Sequence, residues 1–425
     1  MSQSTKHAWV ENAGREPGHD PPIDFAEPVS GSTRVMTLAQ VAFFTSVAVL
    51  AYTYAGYPLL LAVWAKLAPR PVRRAAFEPD VAIVVVVHNG AAFISRKIAS
   101  CLGQDYPPGH LRVLVVSDGS EDSTCALVDS IEDARVSLLA FPQRRGKAAC
   151  VNDALAACRE RFVVMTDVRQ PLDPLAVRRL LENLADENVG AVSGKLMHER
   201  QGMSDFGEGL DAYWRYEQFM RRTESRIHSM VGVLGALYAL RRGCFREIPP
   251  QTILDDVLIP MRVVLQGRRV VFENEALAYD EALTDASRER ARKVRTLAGN
   301  FQLLTSHPAL LAPWRNPIAL QLISHKLMRL IGPLALAVAL VTNIVLIDGG
   351  FYFVATLAIQ IAGYGLALLG ALWPRAGKLR LVRLAMAFVS LNWFVVLGFV
   401  EFASNRDTHR WKSPSPQADD TRSST

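Results

Sequence analysis

Apolar residues recur along this chain in two rhythms. Four stretches carry no charge for about the length of a bilayer crossing, roughly 20 helical residues. They run from Thr37 to Ala65, Leu330 to Ile347, Gly349 to Pro374 and Leu384 to Val400. Each is apolar all round, whereas a helix in a soluble core keeps a polar stripe. The pattern predicts four transmembrane helices, one N-terminal and three C-terminal. Pro317–Arg329 differs: Gln321, His325 and Arg329 recur at i+4 on an otherwise apolar helix. That stripe predicts a helix lying in the membrane interface.

From Val81 the rhythm shortens to β-branched runs separated by helical stretches. Val81–His88 reads as a strand buried on both faces, then Leu111–Val116, Arg135–Leu139, Arg161–Met165 and Val189–Ser193 follow as strands. The intervening Ala92–Gly103, Asp122–Ile131, Lys147–Arg159 and Asp173–Ala185 read as helices. Repeated βα units of this length predict an α/β domain, doubly wound around a mainly parallel sheet. Further on, Gly207–Arg226, Asp255–Gln266 and Ser287–Leu304 read as helices and Arg269–Glu273 as a strand. The chain divides accordingly into a tail (1–36), a first transmembrane helix (37–65), a cytosolic domain (66–310), an interface helix (311–329), transmembrane helices 2–4 (330–403) and a second tail (404–425). Both tails are expected to be disordered.

Charge orients the spans. Lys66, Arg70, Arg73 and Arg74 follow the first, and Arg375, Lys378, Arg380 and Arg383 separate the third from the fourth. The positive-inside rule places 66–329 and 375–383 in the cytoplasm. Arg406, Arg410 and Lys412 argue the other way for the C-terminal tail. The first apolar run is too long and too late for a signal peptide. A net charge of +6 suits juxtamembrane contacts with anionic lipids better than a nucleic-acid surface, and no nucleic-acid partner is expected. The five cysteines, Cys101, Cys125, Cys150, Cys158 and Cys244, form no CxxC pair, so reduced thiols without structural zinc are expected.

In doubly wound sheets ligands sit beyond the carboxyl ends of strands. Polar groups stand there in series. The first strand ends in His88–Asn89–Gly90, the second in Ser117–Asp118–Gly119–Ser120, and the fourth in Thr166–Asp167–Val168–Arg169–Gln170. A loop reads Arg144–Arg145–Gly146–Lys147. Taken singly, Asp118–Ser120 is also a tight turn, Arg144–Lys147 a solvated loop and Asp167 a helix cap. Occupying one positional role across one sheet, they suit a nucleotide: carboxylates for hydroxyls, and Lys147 at a helix start for phosphate.

Val81–Asn89, Val115–Thr124, Arg145–Leu155 and Val163–Asp167 resemble, in collinear order, the nucleotide-sugar motifs of family 2 glycosyltransferases. Tyr52–Leu61 resembles the first span of their membrane-bound bacterial members, and Ile253–Arg262 the segment carrying their acidic pair. The resemblance implies a GT-A fold, a Rossmann-like nucleotide-sugar-binding domain, in a multi-pass protein of the bacterial inner membrane. It implies His88, Asn89 and Asp118 around uridine, Lys147 near the diphosphate, and Asp167 as the first Asp of a DxD that holds Mg2+ or Mn2+. It also implies Asp256 as catalytic base with Asp255 beside it. The expected donor is a UDP-sugar. The expected acceptor is a polysaccharide or lipid-linked saccharide of the cell envelope. Independently, an inverting transfer needs one carboxylate to take the acceptor proton. Asp255 and Asp256 also suit a helix N-terminus, and both readings can hold.

Two positions depart from the family pattern. Arg169 replaces the second Asp of DxD, so either Asp167 holds a metal with water and phosphate or Arg169 neutralises diphosphate itself. Arg292 and Arg295 fall where processive relatives carry QxxRW; Arg295 fits the Arg, whereas Arg292 and Thr296 replace Gln and Trp. This stretch also reads as a basic helix on anionic lipid. Tyr213–Glu217 could stack on sugars or simply pack, and Gly232, Gly235 and Ala236 could leave acceptor space. His198 is a further candidate metal ligand. Two other classes compete. A non-catalytic nucleotide-binding subunit of a polysaccharide assembly would explain Arg169. A nucleotidyltransferase would place a Gly-rich loop where His88–Ala92 stands.

Overall fold

The computed structural model describes residues 31–198, 205–280, 286–373 and 375–404. Of the expected tails, 1–36 and 404–425, residues 1–30 and 405–425 lie outside the described residues, whereas 31–36 and Ser404 belong to helices. Helix α1 (Gly31–Ala51) runs through one π turn, Tyr52–Gly56, into α2 (Tyr57–Leu67). The globular part then alternates β1 (Val81–Val87), α3 (Ala91–Leu102), β2 (Leu111–Asp118), α4 (Thr124–Asp129), β3 (Val136–Phe141), α5 (Lys147–Ala157), β4 (Phe162–Asp167) and α6 (Ala176–Leu184). It continues with β5 (Val189–His198), α7 (Asp205–Ile227), β6 (Leu237–Arg241), α8 (Asp255–Leu265), β7 (Arg269–Asp280) and α9 (Ala286–Ser306). The C-terminal part holds α10 (Ala319–Leu322), a second π turn at Ile323–Leu327, α11 (Met328–Val345), α12 (Phe351–Leu372) and α13 (Arg380–Ser404).

The seven strands form one mixed sheet in the order β3-β2-β1-β4-β6-β5-β7. Strands β1 to β4 are mutually parallel, and β7 is parallel to β5. The centre explains itself through β1, whose seven residues are all buried. Its side chains alternate between two cores, as strand geometry requires. Val81, Ile83, Val85 and Val87 pack with α3 and α6 through Ile94, Ile98, Leu180 and Leu181. Ala82, Val84 and Val86 pack with α5 and α8 through Val151, Ala154, Leu258 and Met261. A strand covered on both faces carries no polar position, hence its unbroken apolar run.

Strand β6 was not anticipated. Its five residues follow a glycine-containing segment and are too few to show a period. It lies antiparallel between β4 and β5, with Leu237 opposite Thr166 and Arg241 opposite Phe162. The start of β6 therefore sits beside the carboxyl end of β4, which brings residues 232–236 to the ligand edge.

Four helices are long and apolar enough to cross a membrane: Val35–Leu67, Ala319–Val345, Phe351–Leu372 and Arg380–Ser404. Leu59, Leu334, Ile359 and Leu381 are among the large side chains they expose. The separate interface helix is not observed. Residues 319–345 run on through the π turn as one span, and the polar stripe turns inward. Gln321 and His325 are buried. The two ring nitrogens of His325 meet Glu224 Oε1 at 2.8 Å and Glu217 Oε1 at 3.0 Å. Arg329 Nη1 donates to Glu217 Oε2 at 2.9 Å, and Tyr57 Oη donates to Glu224 Oε1 at 2.8 Å. Tyr52 Oη lies 2.7 Å from Ser324 Oγ, linking the two π turns. Polar groups in a span turn to protein partners because lipid offers none. The carboxylates of α7 supply them here.

Candidate active site

The edge is built strand by strand. After β1, Asn89 takes a left-handed conformation with φ of 52°, which asparagine tolerates. Its Oδ1 accepts from Glu121 N at 2.8 Å and its own N–H donates to Ser120 Oγ at 3.1 Å. His88 Nδ1 donates to the Asp118 carbonyl at 2.7 Å. These contacts clamp the ends of β1 and β2 together. Gly119, at φ 61°, is required where it stands: a Cβ there would lie 2.6 Å from Arg144 N.

Asp118 has no exposed surface. Its Oδ1 accepts from Arg145 N at 2.7 Å and its Oδ2 from Gly146 N at 3.0 Å. The carboxylate thus holds the loop that delivers Lys147 to the first position of α5. Lys147 Nζ lies 3.0 Å from Asp167 Oδ1 at the end of β4 and 3.6 Å from Asp255 Oδ2. Burial works against its charge. The surrounding Asp167, Asp255 and Asp256 prevail and raise its pKa.

Residues 232–236 close the site from the β6 side. Gly232, at φ 81°, lets Val233 N donate to the Asp256 carbonyl at 2.7 Å. Gly235 faces the charged groups directly. A Cβ there would lie 3.4 Å from Asp256 Oδ2 and 3.7 Å from Lys147 Nζ. Asp255 and Asp256 occupy the first turn of α8, where the dipole favours carboxylates. Burial nevertheless pushes Asp256 up to about 6, helped by Asp255 and opposed by Lys147. On α9, burial lowers the Arg295 pKa against the attraction of Asp255, Asp256 and Asp167.

Lys147, Asp167, Asp255, Asp256 and Arg295 therefore share one electrostatic cluster, to which Asp118 connects through the loop that delivers Lys147, while His88 and Asn89 brace the neighbouring strand ends. Arg169 and Arg292 stand on a separate anchor, Asp280 at the end of β7, each 3.8 Å from its Oδ2. The aromatic stretch of α7 is otherwise employed than expected. Trp214 packs under Lys293 Nζ at 4.6 Å, and Tyr216 under the Arg329 guanidinium at 5.2 Å. The side chains of His198 and Tyr213 lie outside the described residues.

Lys97 carries no sequence signal, being one lysine on an amphipathic helix. It is 1% exposed, and its Nζ donates to Thr166 Oγ1 at 2.6 Å and to the Gln170 carbonyl at 2.5 Å. Thr166 Oγ1 donates onward to the Ala236 carbonyl at 2.7 Å. One buried ammonium thus ties the 166–170 turn to the segment bearing Gly235. Asp280 was equally silent, since its importance comes only from the two arginines that reach it.

A divalent ion at Asp167 is what the resemblance implies. The donor set does not fit one. Asp167 Oδ1 is held by Lys147, residue 169 is a cation, and no group of three or more His, Cys, Asp or Glu side chains able to hold a metal occurs among the described residues.

Residues 82–248 match the family model described as glycosyl transferase family 2. Over those residues the chain is similar to family 2 glycosyltransferases. The chain is 36% identical over 122 residues to the succinoglycan biosynthesis protein ExoO of Rhizobium meliloti, covering 27% of this chain and 34% of that protein. It is 26% identical over 189 residues to an N-acetylglucosaminyltransferase of the same species, covering 44% of each. It is 27% identical over 256 residues to the pre-mycofactocin glycosyltransferase of Mycobacterium tuberculosis, covering 58% of this chain and 52% of that one. The chain thus spans between a third and about half of the length of these relatives. Among solved structures it is similar to mannosyltransferase PcManGT from Pyrobaculum calidifontis, in complex with GDP-Man and Mn2+. The TM-score is 0.66 at 21% identity, covering 87% of this chain and 99% of that one. That likeness is one of fold, of the GT-A type.

Proposed function

We propose that this chain transfers a sugar, with inversion, from a nucleotide-sugar donor to a hydroxyl group presented at a membrane surface. The observation that carries the reading is Asp256. It is a carboxylate raised to about 6, standing beside Gly235 and opposite the cations Lys147 and Arg295. A base poised near the working pH is ionised at neutrality and still binds a proton in the transition state. Gly235 leaves room for the acceptor against Asp256 Oδ2. The acceptor oxygen attacks the anomeric carbon as the bond from that carbon to the diphosphate oxygen breaks. The acceptor proton passes to Asp256, and the electron pair leaves with the diphosphate. Lys147 and Arg295 lie where that charge develops, in a partly buried setting that strengthens their effect.

Asp118 acts by fixing the 144–147 loop, while His88 and Asn89 set the nucleoside floor. A UDP-sugar follows from the motif resemblance, and the GDP-Man of the Pyrobaculum structure makes GDP-sugars the second donor class to offer. The spans and the basic clusters at 66–74 and 375–383 favour catalysis at the cytosolic face of a bacterial inner membrane. A polysaccharide or lipid-linked saccharide acceptor would there lie close to membrane lipids. The name of the succinoglycan relative supports an exopolysaccharide or envelope product. Replacement of a DxD carboxylate by Arg169 favours the second reading, a non-catalytic nucleotide-binding subunit.

Offering the purified chain in nanodiscs a panel of UDP- and GDP-sugars with membrane lipid extract, and following nucleotide release, separates the two. The catalytic reading expects release from at least one donor, abolished in Asp256→Asn with nucleotide binding retained. Nucleotide binding without turnover of any donor would favour the subunit.

A further inference from the structure

Arg169 and Arg292 come from different elements, the turn after β4 and the first half of α9, yet they converge on one oxygen. Each guanidinium lies 3.8 Å from Asp280 Oδ2. With Glu289 beside Asp280, three cations (Arg169, Arg292 and Lys293) face two carboxylates among the described ion pairs, an excess of positive charge that suits a further anion. Each engages Asp280 through one nitrogen at long range, whereas a guanidinium carries five N–H donors in a planar fork. The two side chains are 35% and 37% exposed; Arg292 turns its Nη2 inward onto Glu289, so the surface left open to a ligand is the Arg169 guanidinium and the outer side of Arg292. Glu289 and Asp280 pair with Arg292, and Lys293 shares Glu289.

Their location ties them to the donor edge. Arg169 is two residues beyond Asp167, which binds Lys147. Arg292 is one helical turn before Arg295, whose charge is felt by Asp167, Asp255 and Asp256, and residues three apart share a helix face. At the same edge, the donor set does not suit a divalent ion.

We propose that Arg169 and Arg292, set side by side by Asp280, form a clamp for the diphosphate of the donor, so that the nucleotide binds without a divalent cation. Guanidinium forks match phosphate oxygens bidentately and stay charged at every working pH. Two of them supply the positive charge that a divalent ion otherwise brings. Asp280 is a positioning residue in this scheme, aligning both forks without touching the ligand. The inference rests on the donor reading above, and the test separates the two.

UDP and GDP binding to the full chain in nanodiscs is measured by calorimetry after EDTA treatment and again with added Mn2+. The clamp expects at least one nucleotide to bind with affinities that agree within about threefold in the two conditions. Arg169→Ala and Arg292→Ala should each weaken binding about tenfold, and Arg169→Lys should restore only part of it. Asp280→Asn discriminates most sharply. Removing a negative charge from an anion site should tighten binding by simple electrostatics, whereas loss of alignment should weaken it severalfold. Binding that vanishes in EDTA and returns with Mn2+ overturns the clamp and leaves the donor reading intact. Tighter binding by Asp280→Asn overturns the positioning role. No binding of either nucleotide in either condition overturns the donor reading and the clamp with it.

Discussion

The protein holds two charge clusters built from the same ingredients, one buried and one partly open to solvent, and they are satisfied to different degrees. At the membrane neck, Glu217 and Glu224 of α7 meet His325, Arg329 and Tyr57 at 2.8 to 3.0 Å. His325 and Arg329 hold Glu217 well below the ordinary carboxylate range in spite of its burial. At the sheet edge the close pairs Lys147–Asp167 and Arg292–Glu289 stand beside longer ones: Lys147 reaches Asp255 at 3.6 Å, Arg169 and Arg292 reach Asp280 at 3.8 Å, and Asp256 is raised. Charges that complete one another fasten structure, and charges left partly matched are poised for a ligand. The neck joins the globular domain to its spans, and the edge is where substrate should complete the set.

That contrast breaks most readily at Asp256. Asp256→Asn is expected to lower transfer on the order of a thousandfold, with UDP or GDP binding and thermal midpoint nearly unchanged. The neck should respond in the opposite sense. Glu217→Ala leaves His325 and Arg329 buried without their shared partner, which costs about 3–5 kcal/mol and shows as a lowered unfolding midpoint in detergent. Nucleotide affinity measured below that midpoint should stay unchanged. A Glu217→Ala protein as stable as wild type would end the structural reading of the neck.

A smaller effect concerns pH. Asp256 must be ionised to accept a proton, so kcat/KM should fall as pH drops through about 6, approaching a tenfold loss per unit below it. A profile flat from pH 5 to 7 would remove Asp256 from the base role. Gly235→Ala should have the smallest effect. Its Cβ meets Asp256 Oδ2 and Lys147 Nζ at ordinary contact distances, 3.4 and 3.7 Å, so folding should survive. The filled acceptor space should raise KM for the acceptor about threefold to tenfold, and an unchanged KM would place the acceptor elsewhere.

The central sheet was legible because β1 and β4 are covered on both faces and write their burial as unbroken apolar runs. The strand-end groups were legible because a doubly wound sheet gives each carboxyl end one role. Strand β6 was not, since five residues show no period and its pairing partners, Val163 and Ala191, are far away in sequence. The stripe of Gln321, His325 and Arg329 was visible but misplaced. Periodicity reports that a face is polar and says nothing of whether phospholipid or Glu217 meets it. Lys97 and Asp280 were silent for the same reason, because each matters only through partners brought by the fold.

The insertion of β6 between β4 and β5 also sets an order of events on the ribosome. Leu237 is made 70 residues after Asp167 ends β4, by the difference of their positions, which takes on the order of 4–14 s of translation. Throughout that interval the free edge of β4 has no permanent neighbour, and β5, completed at His198 part-way through it, is able to dock there. The first membrane helix has by then been synthesised, so the unfinished sheet waits in two dimensions at a crowded surface. A nascent chain arrested before Leu237 should be cut rapidly by protease within β4, and one arrested beyond Arg241 should resist. The short strand would then serve as the latch that ends a vulnerable stage of biogenesis.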